Sequence, residues 1–171
     1  RVERQDADHR RTPVPGSHRQ RLRGDDVLQV LDRSTCVELL QTVVIGRVAW
    51  VAASGDAIVV PVNFIVVDDG VVFRTAEGDK LDAAEAGRRL CFEADDVEPA
   101  LQVGWSVMLT GRAEVITDPD EVRRLELLPL APWDPAPKPF FVRIRADELT
   151  GRRLPLRAGG VTVERQRGET N

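Results

Sequence analysis

The chain has 171 residues, of which 42% are hydrophobic and 30% are charged, with a formal net charge of −4. This mixture is typical of one soluble globular domain with a single core, and no apolar run approaches the ~20 residues of a transmembrane helix. Both histidines, His9 and His18, lie near the start of the chain, which excludes a catalytic triad, a Cys-His pair and a histidine metal site from the rest of it.

Residues 1–24 form a basic segment with seven arginines and a net charge of +4, which leaves −8 on the remainder. Its prolines, its charges and the lack of an apolar period predict a disordered arm. A basic arm can bind a polyanion, but the acidic body offers no broad basic face to a duplex. We therefore expect no nucleic-acid partner. The arm also lacks an apolar signal core, so we expect a cytoplasmic protein without a membrane partner.

The segment after the arm, residues 25–157, carries the periodic patterns of a folded domain, and residues 158–171 are predicted to be a flexible tail. Asp32 offers a helix cap, and Thr35–Thr42 is predicted to be a short helix. Runs of β-branched residues then predict six strands: Val44–Ala53, Ala57–Val67, Val71–Thr75, Leu90–Ala94, Trp105–Thr117 and Phe140–Arg145.

Two further short helices separate the later strands. One is predicted over Lys80–Ala86, and the other begins after Asp118, which is followed by proline and by a glutamate three residues on. An acidic loop is predicted over Asp95–Gly104. Pro61 lies inside a strand, and because proline cannot donate to a ladder, it predicts an edge strand or a bulge.

Many short strands at even spacing favour a closed barrel over an open sheet. The predicted fold is therefore mostly β, a six-stranded antiparallel split barrel with short flanking helices. The two cysteines, Cys36 and Cys91, form no CxxC pair and are interpreted as reduced core residues.

The stretch Phe73–Leu81 (FRTAEGDKL) suits a phosphate group. Arg74 offers a bidentate fork, Thr75 a hydroxyl and Lys80 a point charge. The free amides of the following helix start add donors. The alternative is a surface salt-bridge cluster, in which these cations pair with the two acidic residues between them.

Two other stretches carry candidate ligand-binding groups. Near its start, the stretch Gly104–Gly111 carries Trp105, which offers a stacking surface, and Ser106, which offers a hydroxyl. The alternative is that Trp105 is a core residue at the barrel rim. The side chain of Asn63 can form hydrogen bonds with the edge of a heterocycle, or with backbone groups left unpaired by a bulge at Pro61. Trp133, in the proline-rich loop over residues 129–139, can cover an apolar cavity or simply pack.

In this order, these segments resemble the pyridoxamine 5′-phosphate oxidase-like flavoproteins, in their uncharacterised actinobacterial branch. The resemblance covers residues 28–154 as an ordered set of short matches. The matching segments are Ile45–Ala49, Val60–Phe64, Val72–Thr75, Lys80–Leu81, Phe92–Glu93, Gly104–Val107, Thr110–Ala113 and Asp118–Pro119.

The resemblance implies an FMN-binding split barrel that forms a homodimer, with FMN bound non-covalently in clefts between the subunits. It implies that the phosphate is held by Arg74, Thr75 and Lys80. It places Trp105 and Ser106 on the flavin of the partner subunit. The complete set of implied cofactor residues is Val62, Asn63, Phe64, Phe73, Arg74, Thr75, Lys80, Leu81, Trp105 and Ser106.

The function that this resemblance implies is an FMN-dependent oxidoreductase with an unknown small-molecule substrate and no assigned catalytic side chain. The vitamin enzyme uses an arginine and a histidine near its C-terminus for its substrate, and the arginine-rich stretch here has no histidine, which argues against that substrate. Three alternatives remain: a deazaflavin-dependent reductase on the same barrel, a non-catalytic flavin- or ligand-binding protein, and a barrel without cofactor.

Overall fold

The computed structural model describes residues 28–68 and 70–156, so the predicted arm and tail lie outside the described residues. The described chain contains eight strands and three short helices. In chain order they are β1 (Gln29–Leu31), α1 (Arg33–Leu40), β2 (Ile45–Val51), β3 (Ala57–Val67), β4 (Gly70–Thr75), α2 (Asp79–Glu85), β5 (Arg89–Glu98), β6 (Val103–Ile116), α3 (Pro119–Glu126), β7 (Phe140–Arg145) and β8 (Glu148–Leu154).

Six of these strands close into an antiparallel barrel in the order β6-β5-β2-β3-β4-β7, because β7 pairs back onto β6. The predicted six-stranded antiparallel barrel is thereby confirmed. The remaining strands, β8 and β1, extend the sheet outward from β6.

Two strands change partners along their length, which splits the barrel. Residues 57–63 of β3 pair with β2 and residues 64–67 with β4. Of the two predictions for Pro61, the local edge is confirmed and the bulge is not: in the described chain this half of β3 has a ladder only with β2, and the register runs through Pro61 without a break. In the same way, residues 103–112 of β6 pair with β5 and residues 113–116 with β7.

The barrel interior is filled by apolar side chains that alternate with more exposed ones along β2, β5 and β6, whereas β4 and β7 are buried on both faces by a second apolar cluster that includes Leu125 of α3. Phe64 and Phe92 meet inside it at 4.6 Å between ring centroids. Close strand crossing requires glycine at one point: a Cβ on Gly111 would lie 1.6 Å from the carbonyl oxygen of Arg145. This glycine lets β6 bend across to β7, which positions the ends of both strands.

The predicted acidic loop over Asp95–Gly104 was wrong. Strand β5 continues to Glu98, and β6 already begins at Val103. The charged side chains did not prevent a strand because they lie at the barrel's exposed surface, where Arg47 forms ion pairs with Glu93 and Asp95. Strand β8 was not predicted; it has few β-branched residues and is held by ladders to both β1 and β6.

Two of the three described helices, α1 and α3, begin at the polar caps that the sequence indicates, whereas α2 begins after Gly78 without a side-chain cap. The carboxylate of Asp32 accepts a hydrogen bond from the Thr35 amide at 2.8 Å, and Asp118 accepts one from the Glu121 amide at the same distance.

Both cysteines are free thiols in the described chain. In the described ranges, no helix has both the length and the apolar character that a membrane crossing needs.

Candidate functional site

The junction between β4 and α2 holds two of the cations that the sequence singled out. The half-buried Arg74 donates from Nε to the carbonyl oxygen of Lys138 at 2.8 Å, and its guanidinium carbon lies 5.0 Å from the ring centroid of Phe141. These two contacts fix the guanidinium plane. Thr75 is 3% exposed, and its hydroxyl donates to the carbonyl oxygen of Ala76 at 3.0 Å.

A third cation, Lys138, lies at the same junction. Its side chain is 17% exposed, and its Nζ donates to the Asp134 carboxylate at 2.5 Å. The pKa of Lys80 is lowered, first by burial and then by the positive charge of Lys138. We call Arg74, Lys80 and Lys138 the junction cations.

The charge of this cluster is largely unneutralised. Within residues 28–68 and 70–156, neither Arg74 nor Lys80 forms an ion pair with a carboxylate. The alternative of a surface salt-bridge cluster with Glu77 and Asp79 is therefore not formed in the described chain. Half-buried cations without a counter-ion cost free energy, and such groups in proteins concentrate at functional sites.

A second part of the site lies where β3 meets the proline-rich loop. The side-chain oxygen of Asn63 accepts a hydrogen bond from the Trp133 amide at 2.9 Å, and its nitrogen donates to the carbonyl oxygen of Val44 at 3.4 Å. The Asn63 side chain therefore connects this loop to the barrel by hydrogen bonds, and it forms none with the backbone beside Pro61 among the described residues. Trp133 is 72% exposed, so its indole is not packed in the interior of the described chain.

Four of the candidate residues have side chains in the barrel core. These are Val62 at 8%, Phe64 at 3%, Phe73 at 0% and Leu81 at 5% exposure. Their side chains pack beneath the surface and fix the elements that carry Asn63, Arg74 and Lys80. Val62 and Phe64 alternate with the less buried Asn63 along β3, whereas β4 is buried on both faces except at Arg74.

Trp105 and Ser106 lie elsewhere, at the beginning of β6. There they pair with β5 on one side and β8 on the other. They line a groove of about 320 Å³ whose wall includes Leu28, Arg152 and Leu154. The groove is open to solvent and mostly apolar in its lining.

One chain does not bring these two groups together. In the strand ladders, Arg74 of β4 lies opposite Phe141 of β7, and Phe141 lies opposite Ile116 at the C-terminal end of β6. Trp105 lies eleven residues before Ile116 on the same strand, which is roughly 35 Å of extended chain. The junction cations and the Trp105 groove are thus separate half-sites at opposite ends of β6.

Sequence reasoning missed Lys138 and Asp134. The signal that could have found Lys138 is scarcity, because the chain contains only two lysines, Lys80 and Lys138. Its location could not be inferred from local pattern, since it depends on the pairing of Thr75 with Phe140 between β4 and β7. That pairing brings the end of the loop beside the beginning of α2.

Comparison with known proteins agrees with this architecture. The family model for pyridoxamine 5′-phosphate oxidase matches residues 32–153. The uncharacterised protein Rv0080 of Mycobacterium tuberculosis is 37% identical over 145 residues, which is 82% of this chain and 94% of that protein.

Solved structures give the same result. A protein from Corynebacterium glutamicum is 35% identical with a TM-score of 0.64, over 77% of this chain and 96% of that one. The FAD binding protein from Mycobacterium smegmatis is 33% identical with a TM-score of 0.61, over 73% of this chain and 97% of that one. By its barrel, by the order of its motifs and by these matches, the chain belongs to the pyridoxamine 5′-phosphate oxidase family.

Proposed function

We propose that this protein binds FMN non-covalently and uses it as an oxidoreductase on a small molecule. The observation that carries the proposal is the pair of half-buried cations, Arg74 and Lys80, that lack a carboxylate partner in the described chain. A phosphate dianion supplies the charge that this site lacks. The Mycobacterium smegmatis relative, described as an FAD binding protein, supports a flavin as the ligand.

The junction has donors that suit a phosphate group. Arg74 uses Nε on the loop carbonyl, and its two terminal nitrogens have no partner among the described residues. Those nitrogens form the fork that binds two phosphate oxygens. Lys80 adds a point charge at a position where burial already limits competition from water.

The ring of the flavin needs surfaces that the junction alone does not provide. We propose that the protein is a homodimer with two-fold symmetry, in which Trp105 and Ser106 of one copy complete the junction of the other. Exposed apolar side chains near the Trp105 groove support such a contact: Val97 is 59%, Met108 47% and Leu154 50% exposed. A cluster of this kind on a surface marks an interaction site.

The isoalloxazine ring supplies hydride or electron transfer when it is bound. The described residues, none of which is a histidine, contribute binding and orientation in this proposal. Arg74 and Lys80 hold the phosphate end, Asn63 fixes the loop beside the ring, and the buried residues of β3 and β4 keep these groups in register.

The test is a titration of the purified protein with FMN, followed by the quenching of flavin fluorescence. We expect micromolar or tighter binding, and a loss of roughly a hundredfold or more in the variant Arg74→Ala/Lys80→Ala, since each charge-assisted hydrogen bond contributes about 1.5–3 kcal/mol. The matched control is Arg112→Ala/Arg123→Ala, which removes the same charge from exposed positions. Equal FMN affinity in the wild type and the junction variant would disprove the phosphate assignment.

The identity of the flavin is tested by competition. We expect FMN to bind at least as tightly as FAD and as a deazaflavin cofactor, because one phosphate satisfies the two unpaired cations. Displacement of FMN by FAD at equal concentration would favour the ligand that the Mycobacterium smegmatis relative is described as binding. Displacement by the deazaflavin would favour the alternative reductase, and in either case the role of the junction in phosphate binding would stand.

A further inference from the structure

The proline-rich loop, residues 129–139, is bonded to both parts of the junction half-site. The Trp133 amide donates to Asn63, and the Lys138 carbonyl oxygen accepts from Arg74. The loop is therefore not an independent surface segment. Its position relative to the junction cations is fixed at two points that lie five residues apart.

Within this loop, Lys138 and Asp134 form an ion pair of unequal exposure. The Lys138 side chain is 17% exposed, whereas the Asp134 side chain is 64% exposed. The Lys138 Nζ also lies 3.3 Å from the carbonyl oxygen of Asp134 and 3.4 Å from that of Ala136. The lysine charge is thus held toward the protein, and its counter-ion faces solvent.

The charge of Lys138 acts on the junction. It lowers the pKa of Lys80, after the larger effect of burial. The ion pair in turn lowers the pKa of Asp134, with a contribution from the Ala136 amide. Lys138 therefore interacts both with Lys80 and with Asp134, and Asp134 is the carboxylate that pairs with Lys138.

We propose that Lys138 is a third cation of the cofactor phosphate site and that Asp134 limits phosphate affinity by partly neutralising it. This inference rests on the proposed flavin function. It adds a residue pair that tunes the strength of binding, and it assigns to the loop a role in recognising the charged end of the cofactor.

The proposal predicts opposite effects for the two members of the pair. Loss of the Lys138 charge leaves Asp134 to repel the phosphate, whereas loss of the Asp134 charge leaves Lys138 free to attract it. In an environment between protein surface and water, the loss or gain of one unit charge beside a phosphate corresponds to about a three- to thirtyfold change in affinity.

The experiment compares Lys138→Met and Asp134→Asn in titrations with FMN and with riboflavin, which has the same ring and no phosphate. We expect Lys138→Met to weaken FMN binding and Asp134→Asn to tighten it, each by about three- to thirtyfold, with riboflavin binding changed less than about twofold. The matched control pair is Arg123→Met and Asp120→Asn, which form an exposed ion pair on α3.

Asp134→Asn is nearly isosteric, so it tests the proposal even where Lys138→Met lowers stability. Unchanged or weaker FMN binding by Asp134→Asn would overturn the proposal. Equal effects on FMN and riboflavin would also overturn it, because they would show that the pair only shapes the loop. No binding of FMN by the wild type would reject the proposed function itself.

Discussion

Lys80 carries its charge at a half-buried position without a carboxylate partner in the described chain. Burial is the main reason that its pKa is lowered from the ordinary value of 10.5, and the charge of Lys138 adds to the effect. A group of this kind opposes folding in the absence of a ligand and favours the binding of an anion. Residues that bind a cofactor often carry such a cost in stability.

The variant Lys80→Met separates these two effects. It keeps the apolar stem and removes the charge, so we expect the cofactor-free protein to melt roughly 1–4 °C higher at pH 7, while FMN affinity falls. Because the folded pKa of Lys80 lies below its unfolded value, the penalty is complete at pH 7 and disappears as the pH rises through the ordinary value of 10.5.

Thermal melting of both proteins at pH 7 and near pH 10.5 checks this prediction. The difference in melting temperature between variant and wild type should shrink at the higher pH. A cofactor-free variant that melts lower than the wild type at pH 7 would show that Lys80 has a stabilising partner.

At the scale of elements, ion pairs of the largely buried Arg143 connect α3 to the barrel. Arg143 on β7 donates to Glu114 on β6 at 3.2 Å and also forms an ion pair with Glu121 on α3. Its side chain is 11% exposed, and its Nε has no hydrogen-bond partner among the described residues. Since α3 leads directly into the proline-rich loop, this network also holds the beginning of that loop.

We expect Arg143→Ala to destabilise the protein by about 1–3 kcal/mol, because it removes the cation that Glu114 and Glu121 share and leaves each carboxylate with a more exposed arginine, Arg145 or Arg124. Glu121→Gln should cost less, since Arg143 keeps its contact with Glu114. Urea unfolding of the two variants and of their double variant measures the coupling. Additive effects would mean that the ion pair between Arg143 and Glu121 contributes no interaction energy.

Local pattern predicted the elements that are rich in apolar and β-branched residues or whose ends carry polar caps. The bounds of β3 and β7 agree with the prediction, as does the cap at Asp118. Local pattern failed where a partner strand decides the structure: β8 has weak strand propensity and depends on ladders to β1 and β6. The site follows the same division. Arg74 and Lys80 are close in sequence, whereas Lys138 joins them through the register of β7.

At the scale of the whole molecule, β6 sets the distance between the two half-sites. It carries Trp105 at one end and, through β7, contacts the junction at the other. Under the proposed function, a single chain presents a phosphate-binding end and an aromatic end that do not meet. A two-fold dimer in which each copy completes the other resolves this separation and leaves two equivalent sites.

Subunit mixing tests this account most directly. Neither Arg74→Ala/Lys80→Ala nor Trp105→Ala should retain wild-type FMN binding when it is purified alone. After the two variants are unfolded and refolded together, half of the dimers are mixed, and each mixed dimer contains one intact site. We predict recovery of about one quarter of the wild-type FMN capacity. Full FMN binding by Trp105→Ala alone, or no recovery in mixed dimers that have been shown to form, would contradict a flavin site shared between two copies of this chain.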